Sequence, residues 1–180
     1  VIAPQHDGIA GDIVVPMIGA PNRIAPAQVA SLRDERIERL GRPVVGIMIG
    51  GPNRAFRFAE GEAAALATRL SALPAHLVIS TSRRTPAAVA ELLRARVPRA
   101  LFFDPLRDDP AGNVYPAILR YADAMIITED SVNMASEAAR FGASLYIATL
   151  PTRPFANARK FRSFHQQLAE SGASRRFEGS

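Results

Sequence analysis

Four short stretches of this 180-residue chain carry side chains able to handle an anionic ligand. The first is Glu129-Asp130-Ser131, followed by Asn133 and Glu137. Asp130, Asn133 and Glu137 recur at steps of three and four, which sets them on one helical stripe. Asp130 or Ser131 suits the cap of that helix, its oxygen accepting from the first free N–H groups. A helix N-terminus offers unpaired donors and partial positive charge, which suits phosphate. Glu137 can accept hydrogen bonds from both hydroxyls of a ribose. A plainer reading competes: Asp130 only caps the helix, and Glu137 pairs with Arg140 on the surface, a weak interaction.

The second stretch is Thr81-Ser82-Arg83-Arg84-Thr85, three hydroxyls around two guanidinium groups. Guanidinium forks match diphosphate oxygens; the alternative is a capped helix with solvated arginines. The third is Gly50-Gly51-Pro52-Asn53-Arg54. Its glycine pair permits close backbone approach and leaves N–H donors unobstructed. Asn53 and Arg54 add donors for a phosphate or a sugar hydroxyl. Neither GxGxxG nor a phosphate-loop lysine is present. The fourth is His6 with Asp7, a candidate general base and its partner, although a single histidine in an irregular segment more often has a structural role. His6, His76 and His165 have no HExxH or similar spacing, so no metal site is expected.

These residues need a scaffold that gathers them. Val44 to Ile49, Leu77 to Ile79, Ala100 to Phe103, Ala124 to Thr128 and Ser144 to Ala148 are apolar runs of strand length. Between them lie helical patterns over Ala59 to Leu73, Pro86 to Arg96, Tyr115 to Tyr121 and about Val132 to Phe141, where Gly142 ends the last. In that last helix Met134, Ala138 and Phe141 form the apolar stripe. Strand and helix alternating five times predicts an α/β fold, a Rossmann-like doubly wound parallel sheet. In that order the Val44 and Ala124 strands are neighbours, and ligands bind at the switch point beyond their carboxyl ends. The Gly50-Gly51-Asn53 and Glu129-Asp130-Ser131 loops are then expected to face each other there.

Residues 1–42 read as an extended, interdomain segment with one or two strands and a short helix over Ala27 to Leu40. Residues 43–152 form the Rossmann-like lobe. Residues 153–180 form a C-terminal helix and tail, with Phe155, Phe161, Phe164 and Leu168 in a basic helix packed on the domain. The chain has no cysteine, which excludes disulfides and thiolate chemistry. Its net charge is +5 and its pI near 10.6, with Lys160 the one lysine and no tryptophan. Scattered arginines without interleaved aromatics favour a phosphorylated small ligand over nucleic acid, although high arginine with high alanine reads equally as genomic bias. No apolar run is long enough for a membrane span, and Pro4 to Asp7 interrupt the start too early for a signal peptide. A cytoplasmic protein, free or peripheral to a membrane, is expected. The chain opens on Val1 in an apolar run that looks entered midway, as part of a longer polypeptide would.

PQHDG, GAPNRI, IGGPNRAF, TSRRTP, NVYPAILRYADAMIITEDSVNMASEAARFGASLYI and KFRSFHQQL together resemble the mitochondrial-fission (elongated-mitochondria) family, whose bacterial members are often labelled nucleoside-diphosphate-sugar epimerase. The resemblance covers nearly the whole chain and implies an additional N-terminal lobe. It implies the fold of the GT-B glycosyltransferases, with this chain as mostly the C-terminal, donor-binding lobe. Carried over by position, Asp130, Ser131 and Asn133 meet the phosphates or sugar, and Glu137 the ribose. Glu129-Asp130 depart from the small or basic residues such transferases carry there. The epimerase label fits poorly, because GxGxxG and a spaced tyrosine–lysine pair are both missing.

Two functions follow from these expectations. In the first, the chain binds a nucleotide-diphosphate sugar as substrate, with no further cofactor, and serves glycosyl transfer in the full-length protein. Its binding set is Gly50, Gly51, Asn53, Ser82, Arg83, Arg84, Glu129, Asp130, Ser131, Asn133 and Glu137. Arg83, Arg84 and the helix N-terminus would stabilise the diphosphate charge, with a base from His6 or from the other lobe, and a membrane-associated acceptor. In the second, the chain is a non-catalytic adaptor that binds protein partners, as plant members of the family recruit a dynamin-related GTPase to mitochondria.

Overall fold

The apolar runs pair into one sheet because their residues alternate between two buried faces. In β3 (Val44–Ile49) every residue is buried. Val45, Ile47 and Ile49 face one core, while Val44 and Met48 face the other. A strand apolar on both sides is stable only with helices above and below it, which is the logic of a parallel α/β sheet. The computed structural model describes residues 1–20, 24–105, 107–108 and 114–179, the His6 side chain excepted.

Six parallel strands run in the order β5-β4-β3-β6-β7-β8, with β4 at His76–Thr81, β5 at Leu101–Phe103, β6 at Ala124–Thr128, β7 at Ser144–Ala148 and β8 at Arg175–Arg176. This is the Rossmann-like doubly wound order, and β3 and β6 flank its switch point. Their register pairs Val45 with Ala124 and Met48 with Ile127. β8, two residues long, extends the sheet beyond the five strands legible in the sequence. On one face, α3 (Glu60–Ser71) and α4 (Ala87–Arg96) bury Ala63, Leu66, Leu70, Val89 and Leu93. On the other, α5 (Val114–Tyr121), α6 (Val132–Arg140) and α7 (Arg159–Glu170) bury Ala117, Ile118, Ala135, Ala138, Phe164 and Leu168. Each large side chain so buried contributes about 1.5–3 kcal/mol. Gly46 lets α5 close onto β3: a Cβ there would lie 2.4 Å from Ile118 and 2.6 Å from the Met125 sulfur.

The segment expected as one helix over Ala27 to Leu40 is two, α1 (Pro26–Ser31) and α2 (Glu35–Glu38). Asp34 divides them, its side chain accepting from Arg36 N at 3.0 Å and so starting a second helix. β1 (Ile2–Pro4) and β2 (Val15–Met17) form a separate parallel pair. The terminal segment also differs from expectation. α7 begins only at Arg159, and Phe155 sits outside it in a turn. In α6 Ala138 is buried and Met134 and Phe141 pack partly buried against the same core, as the stripe predicts, and Ala135 joins them fully buried. Residues 21–23 of the GAPNRI stretch and part of the proline- and aspartate-rich loop before α5 lie outside the described residues. Among the described residues, no helix is long and apolar enough to cross a membrane.

Candidate functional site

Three loops leave the carboxyl ends of β3, β4 and β6 and meet at the switch point. Each strand ends in residues that cannot continue the apolar alternation: Gly50 after β3, Ser82 after β4, Glu129 after β6. Asp130 lies at the centre, its side chain fully shielded from solvent at 0% exposure. Its carboxylate accepts from the Gly51 N–H at 3.0 Å, the Thr128 hydroxyl at 2.7 Å and Arg84 Nη2 at 2.8 Å. Thr128 Oγ1 in turn accepts from the Gly50 N–H at 2.8 Å. The two glycine donors are therefore both engaged inside the protein. A Cβ on Gly50 would fall 2.2 Å from Asp130 Oδ2, and one on Gly51 would fall 2.2 Å from the Arg84 carbonyl oxygen. The glycines permit the loops to close on each other.

Thr85 completes the seam between the first two loops. Its hydroxyl donates to the Gly50 carbonyl at 2.5 Å, with the Ile49 carbonyl farther off at 3.1 Å, and accepts from the Ser82 N–H at 2.9 Å. Ser82 Oγ accepts from the Arg84 N–H at 3.2 Å. Asn53 folds its own loop, its side-chain oxygen accepting from Ala55 N at 2.8 Å and Phe56 N at 2.9 Å. Its amide donates to the Asp130 carbonyl at 3.4 Å. Ser131, not Asp130, caps α6, accepting from Met134 N at 3.4 Å. Glu129 points the other way. Its carboxylate accepts from Leu150 N at 3.0 Å, its N–H donates to the Ala148 carbonyl, and its carbonyl lies 2.8 Å from His165 Nε2. Burial raises the Glu129 carboxyl above the usual glutamate range, opposed by the Leu150 N–H and by Arg162 and Arg176.

The side chains of Arg83 and Asn133 make no hydrogen bond or ion pair among the described residues, and both residues are exposed. Each is close in sequence to the Arg84–Asp130 pair that anchors its loop. Glu137 accepts a hydrogen bond from the Tyr115 hydroxyl of α5 instead of pairing with Arg140. Burial raises the Glu137 carboxyl, with the Tyr115 bond acting in the opposite sense. Burial likewise raises the Tyr115 hydroxyl, reinforced by the Glu137 carboxylate. His6 falls in a 3-10 turn (Gln5–Asp7), its side chain lying outside the described residues, while Asp7 pairs with Lys160 at 3.1 Å. Thr128 and Tyr115 escape sequence reading as site residues. The one available signal is a hydroxyl at the very end of an otherwise apolar strand, as at Thr128. Among the described residues no cluster of His, Asp or Glu could hold a metal ion.

A family model described as Mitochondrial fission ELM1 matches residues 1–180. An uncharacterized protein of Rickettsia prowazekii (strain Madrid E) is 32% identical over 182 residues, covering 98% of this chain and 51% of its own length. The Mitochondrial fission protein ELM1 of Arabidopsis thaliana is 29% identical over 182 residues, covering 93% of this chain and 40% of its own length. The chain thus spans about half, or less, of the length of these curated relatives.

Proposed function

The chain belongs to the Mitochondrial fission ELM1 family, and from that premise we propose that it is the lobe of a GT-B-like protein that binds a nucleotide-diphosphate sugar for glycosyl transfer. One observation carries the reading. The Arg84–Asp130 pair locks the loops of β3, β4 and β6 together, while Arg83, next to Arg84 in the chain, and Asn133, in the first turn of α6, are exposed. In the first turn of α6 Ser131 takes the Met134 N–H, and those of Val132 and Asn133 have no acceptor within the helix. A diphosphate laid across them would meet those donors, the Asn133 amide and the Arg83 guanidinium. Glu137 keeps lone pairs beyond the one used by Tyr115, so it can still accept from a ribose hydroxyl. In this reading Asp130, Arg84, Gly50 and Gly51 hold the site's shape, and Arg83, Asn133 and Glu137 touch the ligand. The transfer base comes from His6 or from the remainder of a longer protein.

Calorimetric titration of the chain with UDP, GDP, ADP and their sugars tests it. One nucleotide should bind, and Arg83→Ala and Asn133→Ala should each weaken it about 10-fold with unchanged Tm, given ~1.5 kcal/mol for a charge-assisted hydrogen bond. Absence of binding by this chain and by its longer parent polypeptide overturns the reading. The adaptor reading has its own support. Val1, Ile2, Ile9, Ile13, Val15 and Ile18 are exposed large apolar residues within the first 18 positions, and such concentrations mark protein interfaces. If no nucleotide binds, that surface becomes the leading feature.

A further inference from the structure

The connection from β7 to α7 displays an aromatic ring in a place where packing gains nothing from it. Phe155 is fully exposed at 108% of its reference area. Its φ is +59°, and among the described residues it is the one non-glycine residue in the left-handed region. The Ala156 N–H donates to the Arg153 carbonyl at 3.1 Å, closing a turn over Pro154 and Phe155. Proline second and a left-handed third residue is the type II pattern, whose third position favours glycine or asparagine. A phenylalanine there is an outlier that asks for a reason.

The turn is also firmly held. The Arg153 N–H donates to the Ala55 carbonyl at 2.8 Å, and Arg153 Nε donates to the carbonyls of Asn53 at 2.8 Å and Phe56 at 3.2 Å. The Arg57 N–H donates to the Pro151 carbonyl at 3.0 Å, and Phe56 pairs with Thr152 as an isolated bridge. Phe155 is therefore presented on a rigid crest. The stitched loops and the first turn of α7 also carry exposed Arg54, Arg57, Arg153, Arg159, Lys160 and Arg162. Glu62 and Asp7 pair with Arg57 and Lys160, and among the described residues Arg54, Arg153, Arg159 and Arg162 form no ion pair, which leaves a net positive charge there.

A fully exposed ring on a crest cannot enclose a small ligand. It can only enter another phase or another molecule. A protein interface would need a contiguous apolar core around the ring, whereas the other exposed residues of this turn and of the first turn of α7 are Arg153, Pro154, Asn157, Arg159, Lys160 and Arg162. A single exposed ring on segments rich in exposed guanidinium groups suits the headgroup region of a bilayer, where an aromatic seats at the acyl boundary and cations meet lipid phosphates. We propose that the Phe155 crest docks the protein on an anionic phospholipid surface, with Phe155 as the inserted anchor.

The chain has no tryptophan, so Phe155→Trp supplies a unique fluorescent probe at the crest. The experiment adds vesicles of phosphatidylcholine, with and without phosphatidylserine, to this variant, and compares vesicle sedimentation of the unmodified chain with that of Phe155→Ser. The tryptophan emission should shift to the blue with phosphatidylserine vesicles and not with phosphatidylcholine alone, and added salt should reverse the shift. Phe155→Ser should lose about 10-fold in vesicle affinity without loss of Tm. Unshifted emission with anionic vesicles overturns the proposal and assigns the crest to a protein partner. Equal sedimentation of Phe155→Ser and the unmodified chain overturns it as well.

Discussion

Replacing Asp130 by alanine separates a loop-locking carboxylate from a ligand-binding one. The substitution leaves the buried Gly51 N–H and the Thr128 hydroxyl without their acceptor. At about 1–3 kcal/mol for each buried group left unsatisfied, the two together amount to about 3 kcal/mol, toward the low end because the Thr128 hydroxyl can rotate. The ion pair adds little, since the Arg84 side chain is 47% exposed and the freed guanidinium returns to water. In a domain of this size ~3 kcal/mol lowers Tm by about 6–12 °C. Asp130→Asn keeps an acceptor for Gly51 and should lose about half as much. Thermal and urea unfolding followed by circular dichroism give both values. A Tm within about 2 °C of the unmodified chain for Asp130→Ala would refute the clasp. So would an unchanged Tm accompanied by complete loss of nucleotide binding, which would make Asp130 a ligand contact.

Gly50→Ala and Gly51→Ala should each destabilise by about 2 kcal/mol in urea unfolding, because the new methyl meets Asp130 or the Arg84 backbone at 2.2 Å. Gly61→Ala is the contrasting case: it lies within α3, its new methyl would meet nothing within 4 Å, and it should stabilise by up to ~1 kcal/mol. Phe155→Asn, which suits the left-handed turn position, should raise Tm by a few degrees, corresponding to about 1 kcal/mol of relieved backbone strain. Glu137 provides a pH test. Its raised carboxyl means that the folded chain holds this proton more tightly than the unfolded chain. The stability it contributes is full below the ordinary value of 4.5 and is lost as pH rises through the higher folded-state value. Glu137→Gln keeps an acceptor for Tyr115, so its Tm should match the unmodified chain in acid and exceed it at neutral pH. A constant difference across a pH series of melting curves would refute that assignment.

Local pattern was enough to reveal the sheet. The five apolar runs and the helices between them appear in sequence because burial on both faces imposes its own periodicity, residue by residue. The outward-and-back winding then put β3 beside β6 and made the Gly50-Gly51 and Glu129-Asp130-Ser131 loops face each other. Boundaries depending on distant partners were not legible. β8 is two residues of arginine, Arg175–Arg176, and is a strand only because β7 offers an open edge. The break between α1 and α2 rests on one capping aspartate.

The sequence itself determined the fold class, the switch point and the loops delivered to it, since those follow from hydropathy and chain order. The tertiary structure alone decided which of their residues turn inward. Asp130 and Ser131 are adjacent and equally able to cap a helix, yet Ser131 takes the cap while Asp130 reaches Gly51 and Arg84. No local preference separates them. The choice is made by donors 79 and 46 residues away in the chain, whose unmet hydrogen bonds would be costly once β3, β4 and β6 close together.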